Sequence, residues 1–269
     1  MAEKFDANDM IYYFSATGNS KYVAERIAEA TGDIACSIEK VQEVKLQDGE
    51  LFGLVCPTNW WELPILAREF LTNIPIQAVG HNYFFTVATY GTTPGCSGED
   101  ARRILAQRGI VLNASFSVKM PDNWTPIFDL SDKDKVAKQV EAAEPQIDTI
   151  IAQIQSHTEG NKMQNKKPYW VRVFADPLLT YERQTKFLSV DAMTCIGCGL
   201  CAKKCPVQAI EMRDNPQAGE QNKLKKTPVW VPERCAMCLG CLHRCPKFAI
   251  RYGKNTPKHG QYKHPKTRV

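Results

Sequence analysis

Apolar runs separated by turn residues divide the first 156 residues into alternating strands and helices. Met10-Ile11-Tyr12-Tyr13-Phe14 is a short uninterrupted apolar run, the pattern of a buried strand. Ser15-Ala16-Thr17-Gly18-Asn19-Ser20 follows, then a helical stretch with Val23, Ala24, Ile27 and Ala28 on its inner face. Ile34 to Ile38 reads as a weak second strand and Leu51 to Cys56 as a clear third. A helix from about Pro64 to Leu71 comes next, with proline in its first turn. Tyr83 to Thr89 is the fourth strand, Glu99 to Gln107 a helix ending at Gly109, and Ala114 to Lys119 the fifth strand. Ser131 is placed to cap a last helix, with Asp134 three residues on. Its apolar positions Val136, Val140, Ala143, Ile147, Ile150, Ile151 and Ile154 keep helical spacing, and Pro145 should kink or split it. This alternation implies an α/β fold with a parallel, doubly wound sheet.

After residue 156 the pattern changes. His157 to Lys167 is polar and reads as a linker. Pro168 to Phe187 turns aromatic, with Tyr169, Trp170, Phe174, Tyr181 and Phe187, and is expected to pack between domains. Beyond it one cysteine pattern is written twice. Cys195-x2-Cys198-x2-Cys201-x3-Cys205-Pro206 recurs 40 residues later as Cys235-x2-Cys238-x2-Cys241-x3-Cys245-Pro246, and both runs continue into Ala-Ile, at Ala209-Ile210 and Ala249-Ile250. The unit is duplicated.

Such spacing suits a [4Fe–4S] cubane held by four thiolates. In the two-cluster arrangement the fourth cysteine of each run serves the other cluster. One cluster is therefore assigned Cys195, Cys198, Cys201 and Cys245, and the other Cys235, Cys238, Cys241 and Cys205. Gly197, Gly199 and Gly240 leave room for backbone amides to approach the sulfurs. Zinc usually takes two separated cysteine pairs, and disulfides suit a secreted chain. The segment from 188 to 253 closely resembles bacterial two-cluster ferredoxins. The polar stretch from Met212 to Trp230 between the runs reads as a loop or hairpin insertion that covers a cluster or meets a partner.

Composition adds little except through charge and cysteine. With 43 % hydrophobic and 23 % charged residues the chain is ordinary globular material. Of 11 cysteines, eight fall in the runs, leaving Cys36, Cys56 and Cys96, the last two expected to fill core and loop. Metal-site usage of cysteine points to a reducing cytoplasm. Met1 to Asp9 is polar and acidic, unlike a signal peptide. Phe70 to Gly98 is the longest charge-free run and is broken by prolines and glycines, so no membrane span is expected. The net charge of +5 conceals 13 Lys and Arg against 21 Asp and Glu in residues 1–156, and 21 against 8 in 157–269. A basic electron carrier suits docking on its own acidic partner domain or on another acidic redox partner protein. Lys223-x-Lys225-Lys226 and the tail from Lys254 to Arg268 are basic without a recognition motif. The tail reads as a solvated strap, and nucleic acid is not expected as a partner.

The turn after the first strand is the other chemical signal. Hydroxyls of Ser15, Thr17 and Ser20 and backbone amides converge at a helix start, an anion site. No Gly-Lys-Ser/Thr is present, so it is not a nucleoside-triphosphate loop, and no Gly-x-Gly-x-x-Gly occurs. The run resembles the Ser/Thr-x-Thr-Gly-Asn-Ser/Thr loop by which flavodoxins hold the FMN phosphate. That resemblance implies strand order 2-1-3-4-5, with FMN beyond the carboxyl ends of the strands at the switch point. It also implies FMN contacts from Ser15, Thr17, Gly18, Asn19 and Ser20, from Pro57, Thr58, Asn59, Trp60 and Trp61, and from Thr89, Tyr90, Gly91 and Gly95. Trp60 or Trp61 and Tyr90 would flank the flavin ring. The acid-rich second loop of many flavodoxins is absent. Asn123 and Trp124 are read as a surface turn, with a flavin contact as the alternative. The histidines show no ligand spacing and are assigned nothing.

The whole organisation resembles flavodoxin-like proteins fused at the C-terminus to a two-cluster ferredoxin module: 1–156 flavodoxin-like, 157–187 bridging, 188–269 ferredoxin-like with a basic tail. The expected function is electron transfer between two [4Fe–4S] clusters and FMN, interconverting one- and two-electron steps. An FMN-dependent reductase of a quinone, tetrapyrrole or similar substrate is the alternative. A binding module with structural clusters is a third class. No catalytic side chain is assigned.

Overall fold

The computed structural model describes residues 10–215 and 225–269. The acidic stretch 1–9 and Lys223 of the basic segment lie outside the described residues. Strands β1 (Met10–Tyr13), β2 (Ile34–Ser37), β3 (Val44–Leu46), β4 (Leu51–Pro57), β5 (Ile76–Ala78), β6 (Tyr83–Tyr90), β7 (Ala114–Lys119) and β8 (Gly160–Asn161) alternate with helices α1 (Asn19–Thr31), α2 (Ile65–Asn73), α3 (Ser97–Gln107), α4 (Lys133–Glu141) and α5 (Glu144–Gln155). Six strands form one parallel sheet in the order β2-β1-β4-β6-β7-β8. The five strands anticipated from the apolar runs therefore lie in the order 2-1-3-4-5, compatible with a flavodoxin-like α/β fold.

All eight residues of β6 are buried, because helices cover both sheet faces. Alternate residues of β1 feed opposite cores. Tyr12 packs with Phe52, Phe70, Leu71 and Leu105 toward α2 and α3. Ile11 packs with Val23, Ile27, Phe85 and Ile147 toward α1 and α5.

Several expectations need correction. The polar linker contributes β8, pairing Ala114 with Gly160 and Ser115 with Asn161. It escaped detection because an edge strand with both residues exposed carries no apolar alternation. Asp132, not Ser131, caps α4, its carboxylate accepting the Lys135 amide at 2.9 Å. Pro145 does split the last helix, standing in the first turn of α5.

The aromatic bridge is held by charge more than by its rings. Arg172 opens α6 (Arg172–Glu182) and reaches the buried carboxylates of Glu62 at 3.0 Å and Asp100 at 3.1 Å. Burial pushes both carboxyls above their usual range, opposed by Arg68 and Arg172. Val171 is buried, yet Trp170 and Phe174 stay 64 % and 61 % exposed, so these rings do not fill an interdomain seam as expected.

Beyond the bridge come β9 (Leu188–Val190), α7 (Leu200–Lys203), β10 (Ile210–Asp214), β11 (Lys226–Trp230), α8 (Gly240–Arg244), β12 (Ile250–Tyr252) and α9 (Thr256–His259). The sequence duplication is also a structural one. Each cysteine run lies between two short strands, and strands pair across the repeats: β9 with β12 and β10 with β11, both antiparallel. The insertion between the runs is thus a hairpin at its described ends.

The basic tail is not a freely solvated strap, although Lys254, Lys258, Lys263, Lys266 and Arg268 stay exposed. Tyr262 and His264 are 4 % and 2 % exposed, packed beside the start of α1. Among the described residues no helix is long and apolar enough to cross a membrane.

Candidate functional site

A cavity of about 300 Å³ opens beyond the carboxyl ends of β1, β4, β6 and β7. That volume is at the lower end of small-molecule sites. Ser15, Thr17, Asn19, Ser20, Pro57, Thr58, Asn59, Trp60, Trp61, Thr89, Tyr90 and Gly91 all line it. Gly18 and Gly95 do not. Both take positive φ, at +104° and +60°, and act through the backbone. Gly18 turns the chain into α1, its amide donating to Ser15 Oγ at 3.0 Å. Helix α1 carries no side-chain cap, so its first turn has the amide donors that bind anions.

Trp60 and Trp61 occupy the tip of a two-residue turn closed by Asn59 and Glu62, whose amides and carbonyls exchange hydrogen bonds of 3.1 and 3.0 Å. Such turns need positive φ at both central positions and usually carry Asn or Gly. Here two tryptophans hold φ of 47° and 66°, a strained backbone of the kind found at functional sites. Gly95 supports that turn, since a Cβ there would lie 1.9 Å from the Trp61 carbonyl oxygen. Gly95→Ala is expected to destabilise the chain by at least about 1–2 kcal/mol from left-handed strain alone. Chemical denaturation checks this, and an indole fluorescence change should accompany it as the turn shifts.

A third loop completes the cavity. Pro121, Asp122, Asn123 and Trp124 line it, so the surface-turn reading of Asn123 and Trp124 is replaced by a place in the wall. Asn123 Nδ2 donates to Thr17 Oγ1 at 2.8 Å. Asp122 brings a carboxyl that the second loop lacks. Burial raises its pKa, while the Trp124 amide and Thr92 hydroxyl, each donating at 3.1 Å, lower it. Thr58 Oγ1 is buried with no hydrogen-bond partner, a polar atom fit for a ligand. Cys56 and Cys96 are buried outside the lining, as core and loop packing requires.

Met237 and Cys238 of the second cysteine run also line this cavity, which no local signal in the sequence announced. Each run surrounds a smaller space. Cys195, Cys198, Cys201 and Cys245 line one, and Cys205, Cys235, Cys238 and Cys241 the other. Each space thus draws three cysteines from one run and one from the other. Among the described residues no group of three or more His, Cys, Asp or Glu side chains is placed as a metal ion would need.

Backbone amides approach the sulfurs in matched pairs. Gly197 and Met237 donate to Cys195 and Cys235 at 3.5 and 3.4 Å, and Ala209 and Ala249 to Cys205 and Cys245 at 3.2 and 3.3 Å. This donor set and four-thiol ring fit a cubane cluster. Left-handed positions repeat with the same 40-residue offset: Gly197 and Gly199 against Met237 and Leu239. Gly240 is therefore not the counterpart of Gly199. It begins α8, where a Cβ would make only ordinary contacts at 3.6 Å. Burial pushes the Cys201 thiol up to about 11 and the Cys235 thiol up to about 12. Cys198 is exposed.

Two further contacts join the runs to the sheet. Arg244 Nη2 donates to the Ser15 carbonyl at 3.0 Å. His243 is wholly buried, Nδ1 accepting the Tyr262 amide at 3.1 Å and Nε2 placed 2.8 Å from the Asn123 carbonyl. Burial lowers its pKa to about 4, so it stays neutral. A lone histidine without partner spacing gave no reason to expect this.

A family model for the 4Fe-4S dicluster domain matches residues 194–249. A polyferredoxin-like protein of Methanocaldococcus jannaschii is 42 % identical over 67 residues, covering 24 % of this chain and 39 % of that protein. Subunit I of an NADH-quinone oxidoreductase from Pelobacter propionicus is 32 % identical over 65 residues, 23 % of this chain and 35 % of its own. A ferredoxin-3 homologue of Sinorhizobium fredii is 33 % identical over 73 residues, 22 % of this chain and 70 % of its own. The chain spans less than half the length of the first two relatives. No solved structure matches it. Through its C-terminal segment the chain belongs to the family of 4Fe-4S dicluster ferredoxins.

Proposed function

We propose that this is an electron-transfer protein in which two [4Fe–4S] clusters serve an FMN bound at the sheet edge. In this reading residues 1–156 form a flavodoxin-like FMN domain, 157–187 a bridge and 188–269 the ferredoxin domain. Cys195, Cys198, Cys201 and Cys245 hold the outer cluster, and Cys205, Cys235, Cys238 and Cys241 the inner one. The observation that carries the reading is Cys238, which lines both the inner thiol ring and the large cavity. One side chain thus touches the space of each cofactor.

FMN supplies a centre able to exchange one or two electrons where each cluster exchanges one. The chain supplies position and environment. Ser15 to Ser20 receive the phosphate at the start of α1. Trp60, Trp61 and Tyr90 enclose the ring system and exclude water. Asp122 places a carboxyl in the same cavity. Exposed Cys198 makes the outer ring the face for a redox partner, and the basic C-terminal half favours an acidic one.

The test is an anaerobically purified full-length sample with iron, sulfide and flavin quantified, then reduced stepwise. The reading requires about eight irons and one FMN per chain, with electrons distributing among all three centres. A sample that holds its iron yet refuses FMN overturns it.

The cavity borders Trp61 and Ile127, 36 % and 64 % exposed, and this favours a second reading: a flavin reductase of a small substrate. Saturable turnover with a soluble quinone would select it over a carrier.

A further inference from the structure

A continuous set of hydrogen bonds joins the second cysteine run to the loop at the start of α1, and its centre is His243. Because Nδ1 accepts the Tyr262 amide, the proton resides on Nε2, which donates to the Asn123 carbonyl. From there Asn123 Nδ2 donates to Thr17 Oγ1 at 2.8 Å. On the other side the Tyr262 hydroxyl donates to Asn19 Oδ1 at 2.6 Å, with both residues buried. The tail then closes over the loop. The His264 amide donates to the Thr17 carbonyl at 2.8 Å, and its ring stacks on Tyr22 at 4.3 Å between centroids. A Cβ on Gly18 would lie 2.8 Å from His264 Cβ, so tail and loop are in close contact. Two residues of the loop, Thr17 and Asn19, are thus held by the side chains of Asn123 and Tyr262, whose backbone groups both bond one imidazole. His243 and Tyr262 do not line the cavity.

We propose that His243 is a positioning residue through which the helix bearing Cys241 sets the shape of the phosphate loop. Phosphate recognition then depends on groups outside the flavin cavity. This rests on reading Ser15 to Ser20 as the FMN phosphate site. Loss of the imidazole leaves the buried Tyr262 amide unpaired and takes from the Asn123 carbonyl one of its two donors, the other being the Thr125 amide at 2.9 Å, and the loop shifts in response. Coupling of this kind is reciprocal, so bound FMN in turn steadies α8 and the inner thiol ring.

The experiment compares FMN with riboflavin, which lacks the phosphate, binding to the full-length cluster-loaded chain by flavin fluorescence quenching. Tyr262→Phe removes one hydroxyl and is expected to weaken FMN about fivefold; His243→Leu removes two bonds and should weaken it about tenfold or more. His243→Gln, which keeps a donor for Asn123, should fall between native and His243→Leu. In every variant riboflavin affinity should stay at the native level, with iron and sulfide unchanged. Equal weakening of both flavins would mean general loosening and overturn the proposal, as would unchanged FMN affinity in Tyr262→Phe. That single-hydroxyl variant decides the matter if His243→Leu fails to assemble. A native chain that binds riboflavin as tightly as FMN removes the phosphate-site reading itself.

Discussion

Thr17→Glu is expected to empty the cavity of FMN while leaving the iron and sulfide content at the native level. Thr17 is 1 % exposed and lines the cavity where the chain turns into α1, so a carboxylate there enters the space of the ligand. Its charge would face the phosphate of the ligand. Like charges set against each other in this way cost several kcal/mol, so affinity should fall by at least about a hundredfold. The substitution also removes the hydroxyl that accepts from Asn123 Nδ2. Fluorescence titration of full-length protein with FMN gives the answer, and native-level flavin in the purified variant would refute the phosphate-site assignment. Thr17 lines neither thiol space, which is why metal content serves as the internal control.

The second large effect concerns the two thiol rings, which are not equivalent. Cys198 is exposed and belongs to the outer ring, whereas Cys241 belongs to the ring that shares Cys238 with the large cavity. Cys198→Ala and Cys241→Ala should each lower iron from about eight to about four per chain, because each removes one corner of a cubane. Their kinetic consequences should differ. Without the inner cluster, electrons entering at the outer face have no neighbouring centre beside the cavity, and flavin reduction by a protein donor should stop. Without the outer cluster, a donor must reach the inner one directly, and reduction should slow. Stopped-flow reduction with an acidic low-potential donor separates the two cases. Equal flavin reduction rates in both variants and the native chain would mean that the clusters do not feed the flavin at all.

Some of this arrangement was readable from local pattern alone. Met10–Tyr13 and Leu51–Pro57 were visible as strands because burial on both faces forces unbroken apolar runs. β8 was invisible because two exposed edge residues carry no such constraint. Among the candidate flavin contacts, the loops after β1, β4 and β6 could be named from motif resemblance. The loop after β7 was undervalued: Asn123 and Trp124 have no pattern of their own, and their place in the wall follows from how β7 abuts β6. Gly95 carries no local sign that a Cβ there would meet the Trp61 carbonyl, a contact set by the turn at Trp60 and Trp61.

What the chain's order of residues determined by itself is whatever repeats or alternates locally. The 40-residue duplication, the cysteine spacing and the parallel α/β pattern are all of this kind, since a periodic burial or a tight metal-binding loop constrains neighbouring residues together. Only the tertiary structure decided that Cys238 should border the cavity, that the basic tail should lie on the α1 loop, and that His243 should join Asn123 to Tyr262. Those contacts connect residues more than a hundred positions apart, or single side chains whose partners are backbone groups. A backbone carbonyl is the same in every residue, so nothing in the letters marks the one that a distant imidazole will find.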